Sequence, residues 1–123
     1  MTQVADLHRE AMRLVDEAEA SRRRGNETQA QDYLRRAFAQ ERQAADLIAG
    51  DHSHEPTRSV LHRSAASLAL ECGALREAER LIATALSGDP PDEIAEELRD
   101  QLEEAYFGSK KGRRPLPRVA DPI

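Results

Sequence analysis

The sequence is poor in aromatic residues: it has two Phe, two Tyr and no Trp among 123 residues. The β-branched side chains that fill strand-built cores are also sparse, which argues against an all-β fold. Cysteine is nearly absent. Cys72 stands alone, so an internal disulfide and a Cys-based zinc site are both excluded. No apolar run approaches the roughly 18 residues that read as a membrane span. The opening MTQVADLHRE has no apolar stretch of the kind that directs secretion. These absences predict a cytoplasmic chain with no membrane association. The stretch GSKKG follows no strand and opens no helix, so it is not a phosphate loop. No nucleophile, base and orienting group can be assembled into a site, and the expectation is no enzymatic activity, no cofactor and no metal.

What the chain has instead is Ala and Leu, which dominate its 39% apolar content. Such residues suit helix-on-helix packing, where small side chains allow close approach. A core built this way is thin, with stability in the low part of the usual range of about 5–15 kcal/mol. A bound partner or a second copy would add to it, so the reading admits a homodimer. The net charge of −5 is unevenly spread. Residues 108–123 carry Lys110, Lys111, Arg113, Arg114 and Arg118 against Asp121, a net of +4, which leaves −9 for the rest. The segment has three prolines, two glycines and no periodicity, and reads as a basic, extended tail after a single helical domain over residues 1–107.

Apolar spacing of three and four residues predicts five helices. The first runs from about Gln3 to Arg24 and is stopped by Gly25. Asn26 N-caps the second, with Gln29 completing a capping box, and that helix ends near Ala49. Pro56 suits the first turn of the third, which reaches about Cys72. Gly73 separates it from a fourth, about Leu75 to Ser87. The stretch GDPPDE then offers Asp89 as an N-cap for a fifth helix, about Pro91 to Phe107, whose apolar stripe is Ile94, Leu98, Leu102, Ala105 and Tyr106. The architecture expected is therefore all-α: antiparallel hairpins over residues 3–49 and 56–87, with residues 91–107 as a polar capping helix.

Four features invite a chemical reading. The loop DHSHE (Asp51–Glu55) gathers two His and two acids, and imidazoles with carboxylates bind divalent metals. A metal-dependent activity at His52 and His54 would need a further ligand that the sequence does not identify, and a solvated interhelix loop accounts for the residues. His62 and Cys72 lie about 15 Å apart along one helix and cannot form a nucleophile–base pair. His62 reads as half-buried packing, Cys72 as a small buried apolar residue, and His8 has no evident partner. Arg22, Arg23 and Arg24 fall at a helix C-terminus, where cations complement the dipole. The tail residues Lys110, Lys111, Arg113, Arg114 and Arg118 could contact nucleic acid phosphates, although no aromatic side chain is interleaved to stack on bases.

The run from Ser59 to Asp92 resembles a tetratricopeptide repeat. It has a small residue on its first helix (Ala66), a turn glycine (Gly73), alanines on its second helix (Ala78, Ala85), Ile82 at a bulky core position and a closing Pro90. The earlier hairpin keeps the same steps through Ala18, Gly25, Ala30, Leu34 and Ala37, but Arg42 stands at the proline position. Gly25 and Gly73 are 48 residues apart, against a family period of roughly 34, so the first hairpin is elongated. The resemblance implies a right-handed array that binds a protein or peptide on the concave face of each repeat's first helix. That face would comprise Met12, Val15, Glu19, Arg22 and Arg23 in the first hairpin, and Val60, Arg63, Ser67, Leu70 and Glu71 in the second. Family members that clamp a C-terminal carboxylate use Lys and Asn. Here the matching positions hold Arg63, Ser64, Ser67 and Glu71, which argues against that ligand. The functional expectation is a non-enzymatic adaptor or regulatory accessory subunit. The alternative is a nucleic-acid-associated factor acting through the tail.

Overall fold

The computed structural model describes residues 2–107. They form an all-α fold of five helices: α1 (Thr2–Arg23), α2 (Glu27–Leu47), α3 (Thr57–Glu71), α4 (Leu75–Leu86) and α5 (Asp92–Phe107). The residues of the tail, Lys110, Lys111, Arg113, Arg114 and Arg118 among them, lie outside the described residues. Among the described residues, no helix is long and apolar enough to cross a membrane.

The glycines that follow α1 and α3 adopt left-handed backbone, with φ of 81° at Gly25 and 77° at Gly73. Each closes its helix by the same pair of bonds. Asn26 N–H donates to Ser21 O and Gly25 N–H to Arg22 O, while Ala74 N–H donates to Ala69 O and Gly73 N–H to Leu70 O. This is the Schellman arrangement, which only a residue tolerant of positive φ completes at low cost. Asn26 then caps α2, its side-chain oxygen accepting from Gln29 N–H at 3.0 Å. The expected capping box is only half made. Gln29 turns its side-chain oxygen to the Ser21 hydroxyl (2.9 Å) and to Arg24, because Ser21 is buried and needs an acceptor.

At α3 the cap comes from Glu55. One of its carboxylate oxygens accepts from Ser59 N–H (3.1 Å) and from the Ser59 hydroxyl (2.7 Å), while Pro56 supplies helical backbone just before the first turn. The fifth helix begins at Asp92, too far along for Asp89 to cap it, and the Pro91 carbonyl accepts from Ala95 N–H.

α1 packs on α2, α2 on α3, and α3 and α4 on each other and on α5. Of the 22 buried apolar side chains among the described residues, 13 are Ala, so the helices approach closely with little bulk between them. Three clusters make up the core. The largest joins Val4, Ile48, Leu61, Leu81, Ile82 and Leu98 with the alanines between them. A second lies at the α1–α2 hairpin around Leu14, Leu34 and Leu68. A small third one gathers Ala69, Ala78 and Ala105, and Phe38 packs against all three. Cys72 is half-buried against the second cluster, and burial raises its thiol pKa.

The apolar stripe of α5 keeps three of the five positions its spacing predicts, Ile94, Leu98 and Ala105. Ala95, Leu98 and Ala105 are buried, whereas Leu102 and Tyr106 are 38% and 71% exposed. The helix sits down on its small residues, rotated so that Gln101 takes the inward turn between Leu98 and Ala105. Its Nε2 donates to the Arg63 carbonyl at 2.9 Å.

His62 is fully buried, not half-buried as expected. Its Nδ1–H donates to the Arg58 carbonyl at 2.7 Å, and Nε2 has no partner among the described residues. Burial, ahead of any neighbouring charge, lowers its pKa below the ordinary histidine value. The unfolded chain therefore takes up a proton at this residue before the folded one does. Stability from this source is complete above about pH 6.5 and is lost as pH falls toward the folded pKa. Urea midpoints should drop between pH 7 and pH 5 by more in the native chain than in His62→Leu. Equal acid sensitivity in the two would show that His62 does not carry the effect.

Candidate functional site

The periodicity of α1 and α3 presents Met12 and Val15 from one helix toward Arg63, Ser67 and Glu71 from the other. α1 is not packed directly along α3, and the space between them is an open groove of about 450 Å³. Its remaining lining is Ser64 and Leu68 from α3, with Glu97 and Gln101 from α5. Met12 and Val15 are half-buried and Leu68 buried, so the floor is apolar. Ser67 and Glu71 are exposed at the rim. Arg63 is paired with Glu97 across the α3–α5 contact, with side chains 33% and 56% exposed. Gln101 fixes the backbone of the same arginine from below, which leaves its own Oε1 buried and without a donor among the described residues.

Five of the ten groove residues expected from the sequence thus line one cleft: Met12, Val15, Arg63, Ser67 and Glu71. The other five are placed elsewhere. Arg22 is engaged by Glu27 through two bonds of 3.0 and 2.9 Å, which hold that carboxyl below its usual pKa, the Arg22 hydrogen bond being the main cause. Glu19 and Arg23 are exposed further along α1, and Val60 is half-buried outside the cleft. Leu70 packs against the Ala69, Ala78 and Ala105 cluster. Ser64, named in the sequence only at a carboxylate-clamp position, joins the lining, whereas Leu68 and the whole α5 wall were not foreseen. Glu97 and Gln101 stand four residues apart on one helix face, the only sign of them that the sequence carries.

A second cavity of similar size lies at the other end, between Val4, Ala5, His8, His54, Thr57 and Leu61. His8 does have a partner: its Nδ1–H donates to both oxygens of the fully buried Glu41, at 3.0 and 2.9 Å. His54 Nδ1–H donates to Asp51 at 2.5 Å, and the other Asp51 oxygen accepts from Ser53 N–H and the Ser53 hydroxyl. These bonds, the Ser53 hydroxyl first, lower the Asp51 pKa. They use the carboxylate to shape the loop, and His52 is left exposed. Among the described residues, no three or more His, Cys, Asp or Glu side chains are grouped to hold a metal ion.

No protein-family model matches the chain, and no match is found among curated proteins or solved structures.

Proposed function

We propose that this chain is a non-enzymatic adaptor or accessory subunit with a tetratricopeptide-like helical array, and that it takes a protein or peptide in the α1–α3–α5 groove. The observation that carries the reading is the cleft itself. It is walled by alternate helices of the chain, has an apolar floor of Met12, Val15 and Leu68, and has a polar rim. Apolar anchors ringed by polar groups are what a groove offers to a helix or an extended segment. The repeat-like steps from Gly73 to Pro90 support the same reading from the sequence side.

The test is selection of random peptides displayed on phage against the full chain, repeated with Ser67→Trp. Ser67 is exposed at the rim, so the indole fills the groove without disturbing the core. Enrichment by the native chain should fall at least about tenfold in the variant, a loss of roughly 1.4 kcal/mol of binding. Peptides that bind both proteins equally, or no enrichment at all, would sink the groove reading.

A further inference from the structure

We infer that the partner taken by this groove is cationic: a segment in which Lys or Arg residues flank an apolar anchor. The inference rests on the groove reading and adds the ligand's charge. Among the groove's ionisable side chains, Glu71 and Glu97 face a single cation, Arg63, and that cation is already neutralised by Glu97. Glu71 has no ion-pair partner among the described residues, and it stands exposed at the rim beside the apolar floor of Met12, Val15 and Leu68. An acidic segment would meet Glu71, on which only an Arg22 already paired with Glu27 acts from α1, and it would have to displace Glu97 to reach Arg63. A basic segment meets one free carboxylate at once and a second at the α5 wall.

The surroundings reinforce the sign. α5 carries seven acidic residues against Arg99 alone, so the wall that closes the groove is strongly negative along its length. At physiological salt, charges within about 8 Å of the groove act on a bound segment, while the wider acidic field steers approach chiefly as salt is lowered. The apolar floor supplies the contact that does not depend on charge, so specificity divides between an apolar side chain seated on Met12 and Val15 and cations seated on the rim.

The experiment is fluorescence anisotropy on the full chain with three synthetic peptides of equal length. Each has the same leucine spacing; the intervening positions are Lys and Arg in one, Glu and Asp in another, Ser and Gln in the third. The basic peptide should bind at least about tenfold more tightly than the acidic one, with the difference shrinking as salt rises. Glu71→Lys should weaken the basic peptide severalfold. Glu103→Lys, the same charge change on an exposed residue of α5 outside the groove, should weaken it much less. Tighter binding of the acidic or neutral peptide would overturn the charge assignment while leaving the groove reading in place. Equal effects of Glu71→Lys and Glu103→Lys would reduce the preference to bulk charge and overturn the assignment to this cleft. Binding that survives Ser67→Trp would defeat both readings. Self-association of the full chain, lost both on Glu71→Lys and on deletion of residues 108–123, would give the groove to the basic stretch of a second copy and overturn its assignment to a separate partner.

Discussion

Arg58→Met should cost about 3–5 kcal/mol of folding stability, the range for removing one member of a buried ionic cluster. The guanidinium of Arg58 is 1% exposed. It donates to Ala49 O at 2.6 Å, just past the end of α2, and to Thr84 O at 2.7 Å and Ala85 O at 3.4 Å near the end of α4. It also lies 3.3 Å from a Glu55 carboxylate oxygen. One cation therefore adds a donor to carbonyls at two helix C-termini, where the intrahelical ladder ends and the dipole is negative, beside the local bonds that Ser87 and Gly88 make to Thr84 and Ala85. Methionine keeps the apolar stem and removes every donor, leaving Glu55 and the three carbonyls without that partner. In a thin core this is a large share of the whole, and a melting temperature lower by at least about 12 °C is expected. Gly88 supplies an internal check. A Cβ there would stand 2.5 Å from the Arg58 Nη1, so Gly88→Ala must push the guanidinium off its acceptors. It should destabilise the native chain and be nearly neutral in the Arg58→Met background. Additive effects of the two substitutions would show that the alanine acts on something other than the arginine.

The helices of this protein are legible in its sequence because alanine periodicity and two glycines do most of the specifying. Boundaries inferred from Gly25 and Gly73 fall within a residue or two of those observed, since a left-handed C-terminal glycine is a local device that needs no tertiary partner. Arg58 and Glu41 were not legible for the opposite reason. A charged residue at an inward register reads as the edge of a polar face unless its partners are known. Here the partners lie 26 residues away at Thr84 and 33 away at His8. The groove divides the same way. Helical spacing puts Met12 with Val15, and Arg63 with Ser67, on common faces, but only the packed structure decides that those faces border one cleft. The third wall depends on the rotation of α5 about its axis. Its own pattern put Leu102 and Tyr106 inward beside Leu98 and Ala105, but Ala95 took an inward place instead, and the small residues Ala95 and Ala105 let the helix sit closer to its neighbours.

His8→Ala should cost about 2–3 kcal/mol, and the loss should be recovered largely by a second substitution, Glu41→Met. Glu41 is 0% exposed, and both its oxygens are engaged by the one imidazole nitrogen, across the α1–α2 contact. A carboxylate only accepts hydrogen bonds, so Nδ1 carries the proton and His8 Nδ1 is the donor the acid depends on. Removing the ring strands a charged acceptor in the core. The expected cost is somewhat below the roughly 3–5 kcal/mol typical of a broken buried pair, because the His8 side chain is 42% exposed and water can enter where it stood. Replacing both partners removes the desolvated charge together with its need, which is why an apolar side chain at position 41 restores stability instead of compounding the loss. Urea unfolding of the native chain, the two single variants and the double variant gives the coupling directly. A coupling energy of at least about 1 kcal/mol is expected. Additivity within a few tenths of a kcal/mol would mean that Glu41 is satisfied without His8. The pair would then be incidental to how α1 is held, and α1 would owe its position to its packing on the alanines of α2 alone.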